Sequence, residues 1–183
     1  MGKASAPTPV KLVVPMITGH PEMFETAERA LSAHLGEVDY RSERLAFTHT
    51  DYYEDEFGQR LERQFIAFRD LVDPGRLAEI KALTNALEEE WCEERKGRRY
   101  RLINLDPGLL TDARLVLAST KNNAHRIYLA KGIYAELTLI YRHGDFRPLP
   151  WTYPDYRSEE YLRILREIRS IYLQQIKERR SAG

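Results

Sequence analysis

The feature that most constrains this chain is the order in which its apolar periodicities alternate. Residues 10–17 form a compact apolar run rich in β-branched residues, which reads as a buried strand. Thr18, Gly19, His20 and Pro21 make a turn, and Pro21 suits the first helical position, where its missing N–H costs nothing. Phe24, Ala27, Leu31 and Leu35 recur at helical spacing, and Gly36 is placed to end that helix in a left-handed cap. Residues 38–50 alternate like a strand or a bent strand pair, and residues 64–71 read as another strand. Asp73 and Pro74 cap and start a second helix, with Leu77, Ile80, Leu83, Leu87 and Trp91 as its inner face. Residues 99–105 read as a fourth strand. The order is β-α-β-β-α-β, the pattern of a ferredoxin-like α+β fold.

The chain then adds a C-terminal region. Residues 114–120 read as a strand, and residues 126–130 and 133–141 form a hairpin around Lys131 and Gly132. A proline-rich stretch crosses to a final amphipathic helix that Ser158 can cap, with Glu159 and Glu160 in its first turn. Tyr161, Ile164, Leu165, Ile168, Ile171, Tyr172 and Ile176 give it a broad apolar stripe. Residues 1–9 read as a flexible tail and residues 10–183 as a single α+β domain. That length fits the roughly 100–200 residues of one domain.

Composition excludes more than it suggests. The 28 Lys and Arg balance 28 Asp and Glu, so no global charge draws the chain toward nucleic acid or anionic lipid. The balance is uneven along the sequence: acid gathers at residues 51–56 and 88–94, base at residues 95–101 and along the final helix. The single cysteine, Cys92, excludes an internal disulfide and a Cys-rich zinc module, and its glutamate neighbours disfavour a thiolate. No apolar run approaches the roughly 18 residues of a membrane span, and residues 1–9 lack the apolar core of a secretory signal. A cytoplasmic protein without membrane contact is expected.

Four segments carry a resemblance. They are Phe47-Thr48-His49-Thr50-Asp51-Tyr52-Tyr53-Glu54 with Glu56 and Gly58; Asn104-Leu105-Asp106-Pro107-Gly108; residues 115–121 with His125-Arg126-Ile127-Tyr128-Leu129 and Gly132-Ile133-Tyr134-Ala135-Glu136; and Pro150-Trp151-Thr152-Tyr153-Pro154-Asp155-Tyr156. Together they resemble the family known as the domain of unknown function DUF4416. The likeness spans nearly the whole chain, and the third segment is the most specific. The family pattern favours Met where Phe57 stands and Asp where Lys131 stands. The resemblance implies a bacterial or archaeal intracellular protein and implies no activity. A GTP-binding label attached to some such proteins finds no G-x-x-x-x-G-K-[ST] loop here.

Hairpin counting names the first candidate site. If Lys131 and Gly132 are the turn, Leu129 opposes Tyr134, Ile127 opposes Glu136 and His125 opposes Thr138, with opposed side chains about 4.5–5.5 Å apart. His125, Tyr134, Glu136 and Thr138 then share one face. The apolar face carries Tyr128, Ala130, Ile133, Ala135, Leu137 and Leu139. His125 and Glu136 are the candidate acid–base pair. Lys121 and Arg126 suit a phosphate or carboxylate, with Tyr134 and Thr138 beside them. A structural, solvent-facing Glu136 is the plainer alternative.

Two further segments are candidates. Asp51, Glu54 and Glu56 supply three carboxylates for a hard cation such as Mg²⁺, with Tyr52 beside them for a ligand, although a solvated acidic turn explains them as simply. Trp151 and Asp155 lie in an aromatic, proline-rich run that can line a pocket or pin the last helix. The expected ligand is an anionic small molecule such as a nucleotide. The alternative is an RNA- or protein-binding module that uses the final helix, where seven Arg and Lys from Arg157 onward face four Glu. No His-Glu-x-x-His, Cys-x-x-Cys or Gly-x-Ser-x-Gly motif occurs.

Overall fold

A computed structural model of the chain describes residues 2–48 and 60–181. The first strand, β1 (Lys11–Thr18), is buried along its whole length, as its apolar run requires. Helix α1 (Glu22–Leu35) buries Met23, Phe24, Ala27, Leu31 and Leu35, and Gly36 follows it at φ 94°. Pro21 is the residue before the first helical turn, not its first member. β2 (Val38–Arg41) and β3 (Leu45–Ala46) are the bent pair, broken where buried Ser42 exchanges hydrogen bonds with Phe65. β4 (Glu62–Phe68) follows, starting and ending earlier than expected from the sequence.

Asp73 accepts a hydrogen bond from Gly75 N (2.7 Å) and starts a short 3-10 turn that leads into α2 (Leu77–Glu90). The expected fourth strand is divided. Its first part pairs in a separate hairpin, β5 (Glu93–Arg95) with β6 (Arg98–Tyr100). Its second part is β7 (Asn104–Leu105), which rejoins the main sheet. Next come β8 (Gly108–Leu110), β9 (Arg114–Ser119), β10 (Arg126–Ala130), β11 (Ile133–Arg142) and β12 (Asp145–Pro148). Helix α3 (Glu159–Ser181) closes the described chain. The Ser158 hydroxyl accepts from Tyr161 N at 3.4 Å, the expected cap.

Ten of these strands form one sheet, ordered β10-β11-β9-β8-β1-β4-β2, with β12 on β11, β3 on β4 and β7 on β1. Every named pairing is antiparallel. The C-terminal hairpin is therefore not a separate addition. It lengthens the same sheet beyond four strands.

Among the described residues there are three α-helices, and they divide between the faces. α1 and α2 pack on Leu12, Val14, Met16, Ile66 and Phe68. α3 packs on Val13, Phe65, Ala67, Leu115 and Leu139 through Tyr161, Ile164, Leu165, Ile168 and Tyr172. Each fully buried Leu or Ile stabilises by about 1.5–3 kcal/mol, so these two apolar layers dominate the stability of the sheet. Among the described residues no helix is long and apolar enough to cross a membrane.

Two irregularities correct the counted hairpin. Lys131 (φ 54°) and Gly132 (φ 74°) do form the turn, both in the positive-φ conformation that a two-residue turn needs. A bulge at Leu129 then shifts the pairing, so Tyr128 opposes Tyr134, Ile127 opposes Ala135 and Arg126 opposes Glu136. A second bulge, at Thr138, lies where β11 pairs with β9. It divides the expected apolar face. Ile133 and Ala135 pack with α1 and α2, while Leu139 packs with α3. A one-residue slip reverses every side chain beyond it, which is why strict alternation fails here.

Candidate functional site

A split in the sheet creates a deep polar cavity. β8 is bonded to β1 on one side and to β9 on the other. Past Pro107, whose carbonyl still accepts Ala118 N (3.0 Å), β7 continues along β1, whereas Ser119 of β9 continues along β11. The two banks part there.

Pro15 is placed for this break. Its carbonyl accepts Asp106 N (3.0 Å), and a strand residue's N–H and C=O point the same way, so its missing N–H faces the interruption. Pro107 N cannot donate there either. The resulting step turns Asp106 into the gap.

The cavity measures about 790 Å³. One bank comprises Lys81, Asn85, Glu88 and Glu89 of α2 with Arg101, Asn104 and Asp106. The other comprises residues 117–121 with Arg126 and Glu136. Phe47, Arg63 and residues 153–156 complete the lining.

The α2 bank is a buried polar network. Lys81 Nζ donates to Leu105 O (2.6 Å) and stands 3.5 Å from Asp106 Oδ1 and 3.8 Å from Glu88 Oε1. Glu88 accepts Leu105 N at 2.7 Å on one oxygen and Arg101 Nη1 at 2.7 Å on the other. Burial pushes the Glu88 carboxyl above its usual range, although Lys81 and the Leu105 amide oppose the shift. Asn104 Nδ2 donates to Asp106 Oδ2 (2.6 Å).

On the opposite bank, Arg126 and Glu136 face each other across β10 and β11. Arg126 Nε donates to Glu136 Oε2 at 2.8 Å. Its remaining nitrogens reach Ser119 Oγ (2.8 Å), Lys121 O (3.0 Å) and Tyr153 Oη (3.2 Å). Burial lowers the Arg126 pKa, but Glu136 and Tyr153 outweigh it and the net shift is upward. His125 Nε2 lies 3.0 Å from the same Glu136 oxygen, and its ring stacks on Trp151 with centroids 5.3 Å apart.

Arg63 is the most enclosed cation in the cavity. It is 3% exposed, beneath the rings of Phe47, Phe65, Tyr156 and Tyr161, all within 6 Å of its guanidinium carbon. Its bonds to Asp155 Oδ2 and Tyr156 Oη are both 3.2 Å, long for charge-assisted contacts. Nε finds no hydrogen-bond partner among the described residues. Burial alone would lower its pKa. Tyr161, Tyr156, Asp155 and Asp106 reverse that and raise it.

Of the residues expected from the sequence, Lys121, Arg126, Glu136 and Asp155 line this cavity. His125 stands behind Glu136 and reaches the site through it. Tyr134 instead packs edge-to-face on Tyr128. Thr138 is buried at the bulge, with its hydroxyl 3.5 Å from Glu136 Oε1. Trp151 Nε1 donates to Leu137 O (2.8 Å) and Thr152 Oγ1 to Thr138 O, so this segment closes the gap that the bulge leaves in β11. Asp51, Tyr52, Glu54 and Glu56 lie outside the described residues. Among the described residues, no three His, Cys, Asp or Glu converge to hold a metal ion.

The model of the family described as a domain of unknown function, DUF4416, matches residues 8–172. The chain belongs to that family. The match takes in both banks of the cavity and the strands that part to form it. No curated protein and no solved structure matches this DUF4416 chain.

The sequence reading missed Arg63, Lys81, Asn85, Glu88 and Asn104. A signal for three of them was present. Lys81, Asn85 and Glu88 recur at helical spacing beside the apolar stripe of α2, a second, polar face on one helix. Arg63 carried no such pattern, because its neighbours come from β1, β3 and the segment before α3.

Proposed function

We propose that this cavity binds a small anionic organic molecule, and that a nucleotide is the ligand class that fits it best. Arg63 carries the reading. A buried polar group normally has its partners, and a buried cation with an unbonded N–H and two long bonds has capacity to receive an anion. The volume lies within the roughly 300–1,000 Å³ of small-molecule sites. Phe47, Tyr153 and Tyr156 offer ring faces, while Asn85, Asn104, Ser119 and Thr120 offer polar groups for a base or sugar. Glu136, held by Arg126 and oriented by His125, is the carboxylate to which we assign any acid–base step. A cation such as Mg²⁺ bound through Asp51, Glu54 and Glu56 remains part of the proposal. So does the location of the protein in the cytoplasm of a prokaryote.

The alternative, an RNA- or protein-binding face along α3, has weaker support. Arg163 pairs with Glu43 and Glu167, and Arg166 pairs with Asp145 and Glu159. Arg169 lies over the Tyr141 ring and donates to Asp112 O, and Arg157 donates to three carbonyls of residues 149–152. These arginines are committed within the molecule.

We also infer a ferredoxin-like core in β1, α1, β2, β4, α2 and β8. The order β8-β1-β4-β2, with α1 and α2 on one face, supports it.

Thermal unfolding with mono-, di- and triphosphate nucleotides, with and without Mg²⁺, tests the binding reading. A ligand at 100 times its Kd adds about 2.7 kcal/mol, which raises the Tm of a chain this size by roughly 5–10 °C. Asn85→Leu and Arg63→Lys should each reduce that rise. If no nucleotide moves the wild-type Tm while RNA is retained in a salt-sensitive manner, the reading fails.

A further inference from the structure

We propose that the free edge of β10 pairs with the same edge of a second copy of this chain, joining two sheets across a twofold axis. β10 ends the sheet path, and among the described residues its one strand partner is β11. Consecutive large apolar side chains stand open along it: Ile127 is 72% exposed, Tyr128 57% and Leu129 41%. Trp151 and Tyr153, also exposed, flank its start through His125 and Arg126. An unpaired strand edge leaves main-chain donors and acceptors that another strand satisfies directly, and folded proteins ordinarily protect such edges with charge or proline.

Two other strand edges of this sheet have that protection. β2 carries Asp39, bonded to Lys11, and Arg41, paired with Glu28. It also has its own bulge, and Gln175 of α3 reaches across to Asp39 and Arg69 O. β12, which takes the rest of the β11 edge, carries Asp145, Arg147 and Pro148. β10 lacks such protection. Its one charged side chain, Arg126, is buried and neutralised by Glu136.

These differences select the occupant. The charged β2 edge disfavours head-to-tail addition, which would build an open filament. The apolar β10 edge meeting its own copy gives an isologous, closed dimer. Antiparallel self-pairing around Tyr128 sets Ile127 against Leu129 and Arg126 against Ala130, so no like charges oppose. The open area of the five apolar side chains is roughly 500 Å² per copy, or about 1,000 Å² for the pair, the lower bound of a specific interface. The dimer would also bury the Tyr153 side of the rim whose hydroxyl holds Arg126.

Sedimentation of the full chain from about 1 to 100 µM tests this, since an interface of that area is consistent with micromolar association. The expected result is a concentration-dependent shift to twice the 21.4 kDa chain mass. Ile127→Lys places a charge on the open edge at a position too exposed to disturb folding. It should leave the protein monomeric throughout, with unchanged far-UV circular dichroism. A wild-type chain that stays monomeric at the highest concentration overturns the proposal. So does a dimer that Ile127→Lys leaves intact, since that dimer would use another surface.

Discussion

Arg126 and Glu136 stand directly opposite each other on neighbouring strands, joined at 2.8 Å, with each side chain only 3% exposed. Taking two charges out of water costs several kcal/mol each, and their mutual attraction offsets that cost only while both remain. Glu136→Ala should therefore destabilise the chain by about 3–5 kcal/mol in urea unfolding. Arg126→Leu combined with Glu136→Leu should cost less than the sum of the two single changes. Additive losses would show that the two residues are not energetically coupled.

Glu88 predicts a pH dependence. Its folded pKa lies above its ordinary 4.5, chiefly through burial. Above pH 4.5 the unfolded chain releases a proton that the folded chain still holds, so this group's contribution falls as pH rises and levels off above the raised folded pKa. Glu88→Gln removes that slope. Urea midpoints measured upward from pH 4 should show the variant gaining on wild type through this window. A constant difference between the two would contradict the assignment.

Gly108 is the last paired residue of β8 before the banks part. A Cβ there would meet Leu117 Cδ2 at 2.6 Å and Val116 O at 2.9 Å. The clash involves backbone as well as side chain, so β8 and β9 would have to separate. Gly108→Ala should cost about 1–3 kcal/mol, as overpacking does, and should weaken any ligand bound in the adjoining cavity. Equal stability to wild type in chemical denaturation would show that the two strands shift without cost.

Much of the layer structure was legible in the sequence because it depends on local periodicity. Tyr161, Ile164, Leu165, Ile168 and Tyr172, the set from Phe24 to Leu35, and the apolar residues of β1 are buried as their spacing implies. The positive-φ turn at Lys131 and Gly132 was legible as well. The hairpin register was not. A bulge at Leu129 sets it, and no local pattern announces that bulge.

The candidate site divides in the same way. His125 and Glu136 were legible as a pair because they belong to one hairpin, and they do meet. Arg126 was named, but the uncorrected count placed Ile127, not Arg126, opposite Glu136. Arg63 lies 92 residues from Asp155 and 93 from Tyr156, so nothing near it in the sequence announced its surroundings.

By itself, then, the sequence determined the three helices and their apolar faces, the buried first strand, the C-terminal hairpin, and which family the chain resembles. These follow from side-chain spacing over a few residues. Only the tertiary structure decided that β7 and β9 separate, that Asp106 turns into the gap, and that Arg63 is buried under four rings with an unbonded N–H. Those outcomes depend on sheet order and bulges. Both are set by the packing of distant segments against one another, and local spacing carries no record of it.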